Sequence, residues 1–408
     1  MKKKVLVAMS GGVDSSVAAA LLKEQGFSCI GVFMYFWSDQ LIDNSKQLTA
    51  NNRCCSIEAQ EQARRVAQKI GIPLYTLNYQ KEFKQIVVDY YIAEYQAGKT
   101  PNPCVVCNQF IKFDLLLREA QKQGCDYLAT GHYAQISNRS LPLFAFQESP
   151  SSQGSKCERP NKNSKGSFAQ DAASSEFVLK KAADQNKDQT YFLYRLTQDK
   201  LKKILFPVGK YQKPEVRKIA QKFDLPTATR KDSRGICFVS TSNEDFLRKY
   251  LKVQPGSIVD PDGVEIGEHE GLLYYTIGQR HINNSKFKMQ NSKLFEKDKD
   301  IPPLYVVDID IRNNKLVIGR EEDLYKKSLI AEDVSWISEK EPRVIKLGAR
   351  IRYRHPINDC RIKKLSEGKY QVDFEEIQRA ITPGQSVVFY LGDEVLGGGV
   401  ISSENPKF

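Results

Sequence analysis

A loop rich in glycine and serine is the first feature of this sequence that could do chemistry. Residues 10–16 read SGGVDSS and separate a short apolar run from a helical pattern that begins near Ser15. Glycines allow a tight turn with bare N–H groups, and a helix N-terminus adds about half a positive charge. The hydroxyls of Ser15 and Ser16 can donate to phosphate oxygens. This phosphate loop therefore predicts an anion cradle, and the lack of a following Gly-Lys-Ser/Thr excludes a Walker A loop.

Two segments could supply a sulfur nucleophile. A proline-rich loop carries Cys104 and Cys107 in Cys-x-x-Cys spacing, ahead of a helix that we expect to begin near Gln109. Cys237 lies among lysine and arginine residues. A helix N-terminus and cationic neighbours both lower the pKa of a thiol, so these settings predict reactive thiolates. A cysteine by itself is more often a small buried hydrophobe, and the phosphate loop is what favours a catalytic role.

The elements that would position these residues follow an alternating pattern. Over the first 135 residues, short β-like runs alternate with helical stretches. This pattern predicts a parallel sheet with helices on both faces, whose ligands bind at the carboxyl ends of the strands. Between about 137 and 175 the chain is rich in Ser, Asn, Gln and Lys, which predicts a flexible insertion. A further helix is predicted over 213–222, with Pro214 near its first turn.

The second half of the chain changes to short β-branched and aromatic runs separated by Gly, Pro, Asn and Asp. Such runs predict antiparallel hairpins that close into a barrel or sandwich. Arg350, Arg352 and Arg354 fall in one of these runs, and their alternation predicts that they share one face of a strand. We therefore predict an α/β catalytic domain over 1–240, a small central β-rich domain over 241–312 and a C-terminal antiparallel β-barrel over 313–408.

The composition of the chain indicates which class of partner it binds and in which cellular compartment it is expected. The 408 residues carry a formal charge of +12, which favours a polyanionic partner such as nucleic acid without requiring one. Nine cysteines form an odd, irregular set, which argues against a disulfide scaffold and for thiol, redox or metal chemistry. The sequence contains no apolar run of the roughly eighteen residues that a membrane span needs. We therefore expect a cytoplasmic protein that does not enter a membrane.

Eight motifs, taken in order, resemble those of one known family. They are SGGVDSS, TPNPxxxCNxxIKF, TGHY, NKDQTYFL, KDSRGICF, YTIGQR, IRYR and TPGQSVVFYLGDEVLGGGVI. The first is similar to the signature of the PP-loop ATP pyrophosphatases, which cleave ATP between the α and β phosphates. The whole set resembles the bacterial tRNA 2-thiouridylases over nearly the entire chain.

This resemblance implies a reaction. It implies a tRNA-uridine 2-sulfurtransferase that uses ATP and Mg²⁺ to adenylate the C2 oxygen of the wobble uridine and then replaces that oxygen with sulfur. Cys237 would carry a persulfide delivered by a sulfur carrier protein, and Cys107 would be the nucleophile at the activated base. Sulfur would attack C2 directly, or after Cys107 releases it as sulfide, and both routes end in a disulfide between the two cysteines. The tRNAs for Lys, Glu and Gln would be the substrates.

The resemblance also implies binding residues. Those at ATP are Ala8, Met9, Ser10, Gly11, Gly12, Val13, Asp14, Ser15, Met34 and Gly131. Those at the target base are Asn102, Pro103 and Cys104. Those at the remaining tRNA are His132, Lys187, Asp188, Gln189, Arg352, Tyr353 and Gln385.

Departures from the family pattern leave alternatives open. Many relatives carry Asp where Cys104 stands, so Cys104, Cys107 and Cys237 could instead ligate an iron–sulfur cluster with one iron open to sulfide. After YTIGQR, residues 281–284 replace the family's glycine-rich continuation and leave tRNA contacts there open. The residues alone also leave room for a small-molecule amidating synthetase, or for an RNA-binding scaffold without turnover.

Overall fold

The structure is a computed structural model that describes residues 2–37, 56–139, 176–232, 235–240, 242–280, 303–342 and 346–404. The predicted insertion at 137–175 starts inside a strand that ends at Arg139, and residues 140–175 lie outside the described ranges. The altered run at 281–284 lies outside them as well. Among the described helices, none combines the length and the apolar character that crossing a bilayer requires.

A five-stranded parallel sheet organises the first half of the chain, in the order β3-β2-β1-β4-β7. The strands of this half are β1 (Lys4–Ala8), β2 (Ser28–Tyr35), β3 (Leu74–Asn78), β4 (Tyr127–Ala129), β5 (Gln135–Arg139), β6 (Glu176–Lys180) and β7 (Ile204–Leu205). The sheet confirms the predicted α/β class. Its strand order switches direction between β1 and β4, so a crevice at the carboxyl ends of these two strands is where a ligand should bind.

Helices cover both faces of this sheet. They are α1 (Val13–Glu24), α2 (Ile57–Ile70), α3 (Gln80–Phe83), α4 (Asp89–Gln96), α5 (Pro103–Val106), α6 (Leu116–Lys122), α7 (Gln198–Leu201), α8 (Lys213–Lys222) and α9 (Asn243–Arg248). Two π-helical segments, Lys84–Val88 and Cys107–Leu115, connect α3 to α4 and α5 to α6. Val5 and Val7 of β1 lie in one apolar cluster and Leu6 lies in another. Both faces of β1 are therefore buried, as expected for a strand of a parallel sheet.

The helix after the proline-rich loop begins at Pro103, so the predicted start near Gln109 was wrong. Proline at the first helical position has a φ already suited to a helix, and its missing N–H has no intrahelical partner to lose. The chain then stays helical into the π segment. Cys104 and Cys107 therefore lie inside the helix instead of ahead of it.

Helix α8 begins at Lys213, as predicted, with Pro214 in its first turn. The Gln212 N–H donates to Glu215 Oε2 at 2.7 Å, which satisfies a backbone donor at the start of the helix. This cap fixes the start of the helix. From there the Lys213 side chain reaches Asp14 in the phosphate loop.

A four-stranded sheet follows, in the order β10-β11-β8-β9. Its strands are β8 (Gly256–Val259), β9 (Glu265–His269), β10 (Tyr305–Asp310) and β11 (Lys315–Gly319). Ile258, Ile266, Leu316 and Ile318 bury one small apolar core. Because β11 belongs to this sheet, the predicted boundary at 312/313 falls inside the β10–β11 hairpin.

The C-terminal strands form a closed antiparallel barrel, as predicted. They are β12 (Tyr325–Trp336), β13 (Lys346–Arg350), β14 (Asn358–Ser366), β15 (Lys369–Arg379), β16 (Ser386–Leu391) and β17 (Glu394–Ile401). The order is β12-β15-β14-β13-β16-β17, and pairing of β12 with β17 closes the ring. The β5–β6 hairpin of the first half adds to β17 through Leu179 and Lys180. Backbone hydrogen bonds thus tie the α/β region to the barrel.

The predicted strand that would align three arginines was wrong. Strand β13 ends at Arg350, and the chain then turns, with Arg354 at a φ of +91°. Arg352 instead donates to the Ala380 carbonyl and to Thr382 Oγ1 on the segment after β15. These bonds hold the turn against the barrel, so the three side chains do not share one strand face.

Candidate active site and nucleic-acid interface

The phosphate loop lies between the carboxyl end of β1 and the N-terminus of α1. Gly11 has a φ of +71°, and a Cβ at this position would lie 2.1 Å from the Ala59 carbonyl oxygen on α2. Only glycine therefore fits here. The Ser10 N–H donates to Ser15 Oγ at 3.1 Å, and Ser16 Oγ donates to the Gly12 carbonyl at 2.8 Å. In this structure the serine hydroxyls thus bond within the loop and shape it.

Neighbouring strands bring the other predicted ATP residues to the loop. Gly131 lies two residues after the end of β4, and a Cβ on it would lie 2.6 Å from the Ser15 backbone nitrogen. The Met9 N–H donates to the Val32 carbonyl at 2.8 Å, which aligns the loop with the end of β2, where Met34 is buried. The structure therefore gathers the predicted ATP residues at the switch point of the sheet.

We predict that Gly131→Ala lowers ATP-dependent AMP formation about 100-fold, because its methyl group would displace the backbone of the cradle. The displaced atoms belong to the start of α1 and cannot move without moving Ser15. AMP release from labelled ATP measures the effect. Gly124→Ala is the matched control, since Gly124 has a φ of +65° but no atom within 4 Å of an added Cβ. Equal AMP rates in the two variants would contradict the placement of ATP here.

Asp14, in the first turn of α1, is the centre of polar contacts that the sequence patterns did not reveal. It accepts a hydrogen bond from the Tyr133 hydroxyl at 2.7 Å and bonds from Lys213 Nζ at 2.7 and 2.8 Å. Lys213 is 8% exposed, although lysine is normally a surface residue. Its position at the start of a predicted helix gave no sign that it would be buried.

Cys104 and Cys107 occupy the first turns of the helix that starts at Pro103. Asn102 caps this start and is 8% exposed, and Cys107 is 6% exposed. Burial, and to a smaller extent the nearby Cys237, raise the pKa of Cys104 to about 11, against the opposing effect of Lys112. The predicted lowering of the pKa was therefore wrong for Cys104, because loss of water outweighs the cation and the helix terminus.

The Cys237 segment comes close to this helix, since Cys237 packs against the apolar cluster in which Cys107 is buried. Phe238 anchors the segment, with its ring 5.2 Å from that of Tyr91 and 5.3 Å from that of Phe246. Cys104 and Cys107 are three residues apart and thus lie on one side of the helix. All three cysteines are thiols in this structure and not disulfides.

The iron–sulfur alternative needs three ligands that converge on one point. Within the described residues, no group of three His, Cys, Asp or Glu side chains has an arrangement that could hold a metal ion. Cys104, Cys107 and Cys237 are therefore near one another without forming a ready-made cluster site.

Three of the predicted tRNA residues line one cavity of about 510 Å³ between the two halves of the chain. Lys187 and Asp188 come from the α/β region and Tyr353 from the barrel, and Arg350 and Arg354 also line it. Asp188 is 2% exposed and lies 3.3 Å from Arg350 Nη1. Its buried carboxylate thus holds Arg350 in place, and contact of Asp188 with tRNA stays a prediction. The cations around it make the cavity suited to an anion.

Arg352 and Gln385 are both engaged inside the protein. Gln385 Nε2 donates to the Thr100 carbonyl at 2.8 Å, and the Thr100 N–H donates to the Pro383 carbonyl at 2.9 Å. The barrel therefore braces the loop that leads to Asn102. Contact of Arg352 and Gln385 with tRNA stays a prediction.

His132 and Gln189 both contact the segment that follows β4. Gln189 Oε1 accepts from the Tyr133 N–H at 2.9 Å, and His132 Nδ1 lies 2.7 Å from Thr130 Oγ1. The His132 ring lies between aromatic rings, 5.6 Å from Phe113. Burial lowers the pKa of His132 well below its usual 6.5, and Lys112 lowers it further. The imidazole is therefore neutral at pH 7.

We predict that the His132 ring resonances do not titrate between about pH 8 and pH 6 in the folded protein, as measured by NMR. The unfolded chain in urea is the control and should titrate near 6.5. The pKa of His132 is lower in the folded protein than in the unfolded chain. As the pH falls below 6.5, the unfolded chain therefore takes up a proton first, and the free energy of unfolding decreases until the folded pKa is passed. A midpoint near 6.5 in the folded protein would disprove the burial argument.

Comparisons with known proteins cover the whole chain. Residues 3–241 match the description "tRNA methyl transferase HUP domain", residues 244–320 "tRNA methyl transferase PRC-barrel domain" and residues 326–401 "Aminomethyltransferase beta-barrel domain". A solved structure of NMN synthetase from Francisella tularensis is 15% identical at a TM-score of 0.31, over 60% of this chain and 71% of that chain. That likeness is too weak to carry an argument.

Full-length relatives are closer. The tRNA-specific 2-thiouridylase MnmA of Clostridioides difficile (strain 630) is 42% identical over 98% of both chains. MnmA 1 of Thermoanaerobacter pseudethanolicus is 43% identical over 98% of this chain and 99% of its own. The alternative of a small-molecule amidating synthetase finds no support in these relatives. Identity of this level along the entire length shows that the chain belongs to the tRNA-specific 2-thiouridylase MnmA family.

Proposed function

We propose that this protein uses ATP to replace the C2 oxygen of the wobble uridine of tRNA with sulfur. The observation that carries the proposal is the packing of Cys237 against the apolar cluster that contains Cys107, in a chain whose parallel sheet presents a phosphate loop at its switch point. A phosphate cradle without a Walker lysine suits attack at the α phosphate, and the thiols supply the nucleophile.

The first step is adenylation. The uridine C2 oxygen attacks the α phosphorus of ATP as N3 loses its proton, and the bond from that phosphorus to the bridging oxygen breaks. Pyrophosphate leaves with the electron pair. The N–H groups of the phosphate loop stabilise the charge on the phosphates without reorganisation. The product holds AMP as a good leaving group on C2.

The second step is sulfur transfer. The terminal sulfur of a Cys237 persulfide attacks C2, and the C2–O bond breaks as AMP leaves with the electron pair. The Cys107 thiolate then attacks Cys237 Sγ, which leaves the thiocarbonyl on C2 and a disulfide between the two cysteines, and N3 regains a proton. A thiol reductant supplies the two electrons that reopen the disulfide. If Cys107 instead releases sulfide first, the balance is the same.

We propose Cys107, and not Cys104, as the nucleophile for this step. With a pKa raised to about 11, Cys104 is protonated near neutral pH, and a thiol is far less nucleophilic than a thiolate. Cys104 stands three positions earlier on the helix, beside Asn102 and Pro103. We propose that these three residues hold the base while Cys107 reacts.

The cofactor and partners follow from the same chemistry. Mg²⁺ is held in proteins by one or two carboxylates together with phosphates, and Asp14 is the carboxylate of the phosphate loop. Mg²⁺ would neutralise charge on the pyrophosphate.

The cavity between Lys187 and Arg354 would take a tRNA phosphate, in keeping with the charge of +12. We propose the cytoplasmic tRNAs for Lys, Glu and Gln as substrates, and a sulfur carrier protein as the persulfide donor.

The test is reconstitution. Purified protein with ATP, Mg²⁺, a persulfide donor or sulfide, and unmodified transcripts of these tRNAs should form 2-thiouridine at the wobble position, detected by mass spectrometry of nucleosides. A transcript with cytidine at that position is the control. AMP release without thiolated nucleoside would contradict sulfur transfer, and thiolation without ATP would contradict activation.

A further inference from the structure

A partly buried ionic cluster connects the phosphate loop to the segment that carries Cys237. Lys213 is at its centre, with a side chain 10% exposed. Its Nζ lies 2.7 Å from Asp14 Oδ1 and 3.0 Å from Asp232 Oδ1. One ammonium group therefore joins a carboxylate of the phosphate loop to a carboxylate five positions before Cys237.

Asp232 is the second centre of this cluster. Its carboxylate accepts hydrogen bonds from Lys187 at 2.8 Å and from Arg217 at 2.8 Å, in addition to the contact with Lys213. Burial alone would raise the pKa of Asp232, but the bonds from Lys187 and Lys213 outweigh it and lower the pKa to about 2. Asp232 is therefore ionised near neutral pH, and charge-assisted bonds hold it in one position.

The Cys237 segment is held at both of its ends. Before it, Asp232 is fixed by the ionic cluster, and Arg230 donates to the Gly11 carbonyl of the phosphate loop at 2.8 Å. After it, Phe238 is buried among aromatic rings. The aromatic anchor ties the segment to the helices, whereas the ionic anchor ties it to the nucleotide site.

We infer that Lys213 and Asp232 are positioning residues for sulfur transfer. They set the distance between the Cys237 segment and the phosphate loop, so that the sulfur reaches a base activated at that loop. Neither acts on the reacting atoms: Lys213 acts through Asp14 and Asp232, and Asp232 acts as a fixed point five residues before Cys237. A misplacement of about 1 Å can lower a rate about 100-fold, so loss of this anchor should be large. The inference rests on the proposed function.

Asp232→Asn separates positioning from activation. It removes the charge that three cations share but leaves the contact of Lys213 with Asp14 intact. We expect tRNA-dependent adenylation to stay within about threefold of wild type, while thiolation from a persulfide donor falls about 100-fold.

Lys213→Met removes the contacts with Asp14 and with Asp232, so it should lower the rates of adenylation and of thiolation. Lys213→Arg keeps the positive charge and should restore part of each rate.

The matched control is Asp224→Asn, which breaks an exposed ion pair with Lys69 in the same half of the chain and should change neither rate. Adenylation is measured as AMP release, thiolation as 2-thiouridine, and folding as the melting temperature. If Asp232→Asn lowers both rates together with the melting temperature, its role is merely structural and the inference is wrong. Unchanged thiolation in that variant would overturn the inference while the function stands. An inactive wild-type protein would overturn both.

Discussion

Cys237→Ser is expected to lower persulfide-driven thiolation by at least about a thousandfold, because a hydroxyl cannot carry a sulfane sulfur. Adenylation should continue, since the phosphate loop and its neighbours at Gly131 are untouched. The measurement is a time course of 2-thiouridine and AMP from the same reaction. Cys237 leads directly into the buried Phe238, and an isosteric replacement leaves that anchor in place.

Cys125→Ser is the matched control for this variant. Cys125 is half-buried like Cys237 but lies just before β4, on the opposite end of that strand from Gly131. It should thiolate at the wild-type rate. Full persulfide-dependent activity in Cys237→Ser would refute the role of Cys237 as the sulfur carrier.

Cys107→Ser is the second large effect. The serine hydroxyl stays protonated near neutral pH and cannot release sulfur from the persulfide, so thiolation should again fall by about a thousandfold. In contrast to Cys237→Ser, this variant should still accept sulfur from the donor and hold it on Cys237. Mass spectrometry of the intact protein should therefore show the persulfide accumulating.

Cys104→Ser separates the two thiols of the Cys-x-x-Cys spacing. Because the pKa of Cys104 is raised to about 11, its thiol is already protonated near neutral pH, and a serine should change thiolation far less than Cys107→Ser does. Equal losses in the two variants would contradict the assignment of Cys107 as the only nucleophile on this helix.

The parts of the site that follow local backbone rules could be predicted from the sequence. The phosphate loop is an example, since the Gly-Gly pair before a helix has few other physical explanations, and Gly11 does need its positive φ. The parallel sheet and the closed barrel were also predictable, because alternating patterns report burial directly. The prediction that Gly131 lies near the nucleotide came from the family resemblance. The structure shows that Gly131 packs against Ser15 so closely that a Cβ would clash.

The parts that depend on tertiary contacts could not be predicted. The charge of Lys213 says nothing of its burial, and only the fold shows that it joins Asp14 to Asp232. Cys104 was expected to be acidic from its neighbours in sequence, but its pKa is set by exclusion of water. The alternating arginines suggested a strand, yet the hydrogen bonds of Arg352 to the barrel end that strand at Arg350.

The three regions of the chain meet around the proposed target base. Gln385 of the barrel bonds to Thr100, directly before the loop that holds Asn102, and Arg352 links the barrel to the Ile277 carbonyl of the middle region. These contacts fix the loop on which, in the proposed function, the base would rest. The barrel, the middle region and the α/β region are thus joined by hydrogen bonds.

In the proposed reaction ATP activates the C2 oxygen, and this oxygen leaves with AMP. A tRNA carrying ¹⁸O at C2 of the wobble uridine tests this step directly, in a single turnover with ATP, Mg²⁺ and a sulfur donor. We expect one ¹⁸O atom in AMP for each 2-thiouridine formed, with none in pyrophosphate or water. Label in pyrophosphate or water, or unlabelled AMP alongside 2-thiouridine, would contradict it.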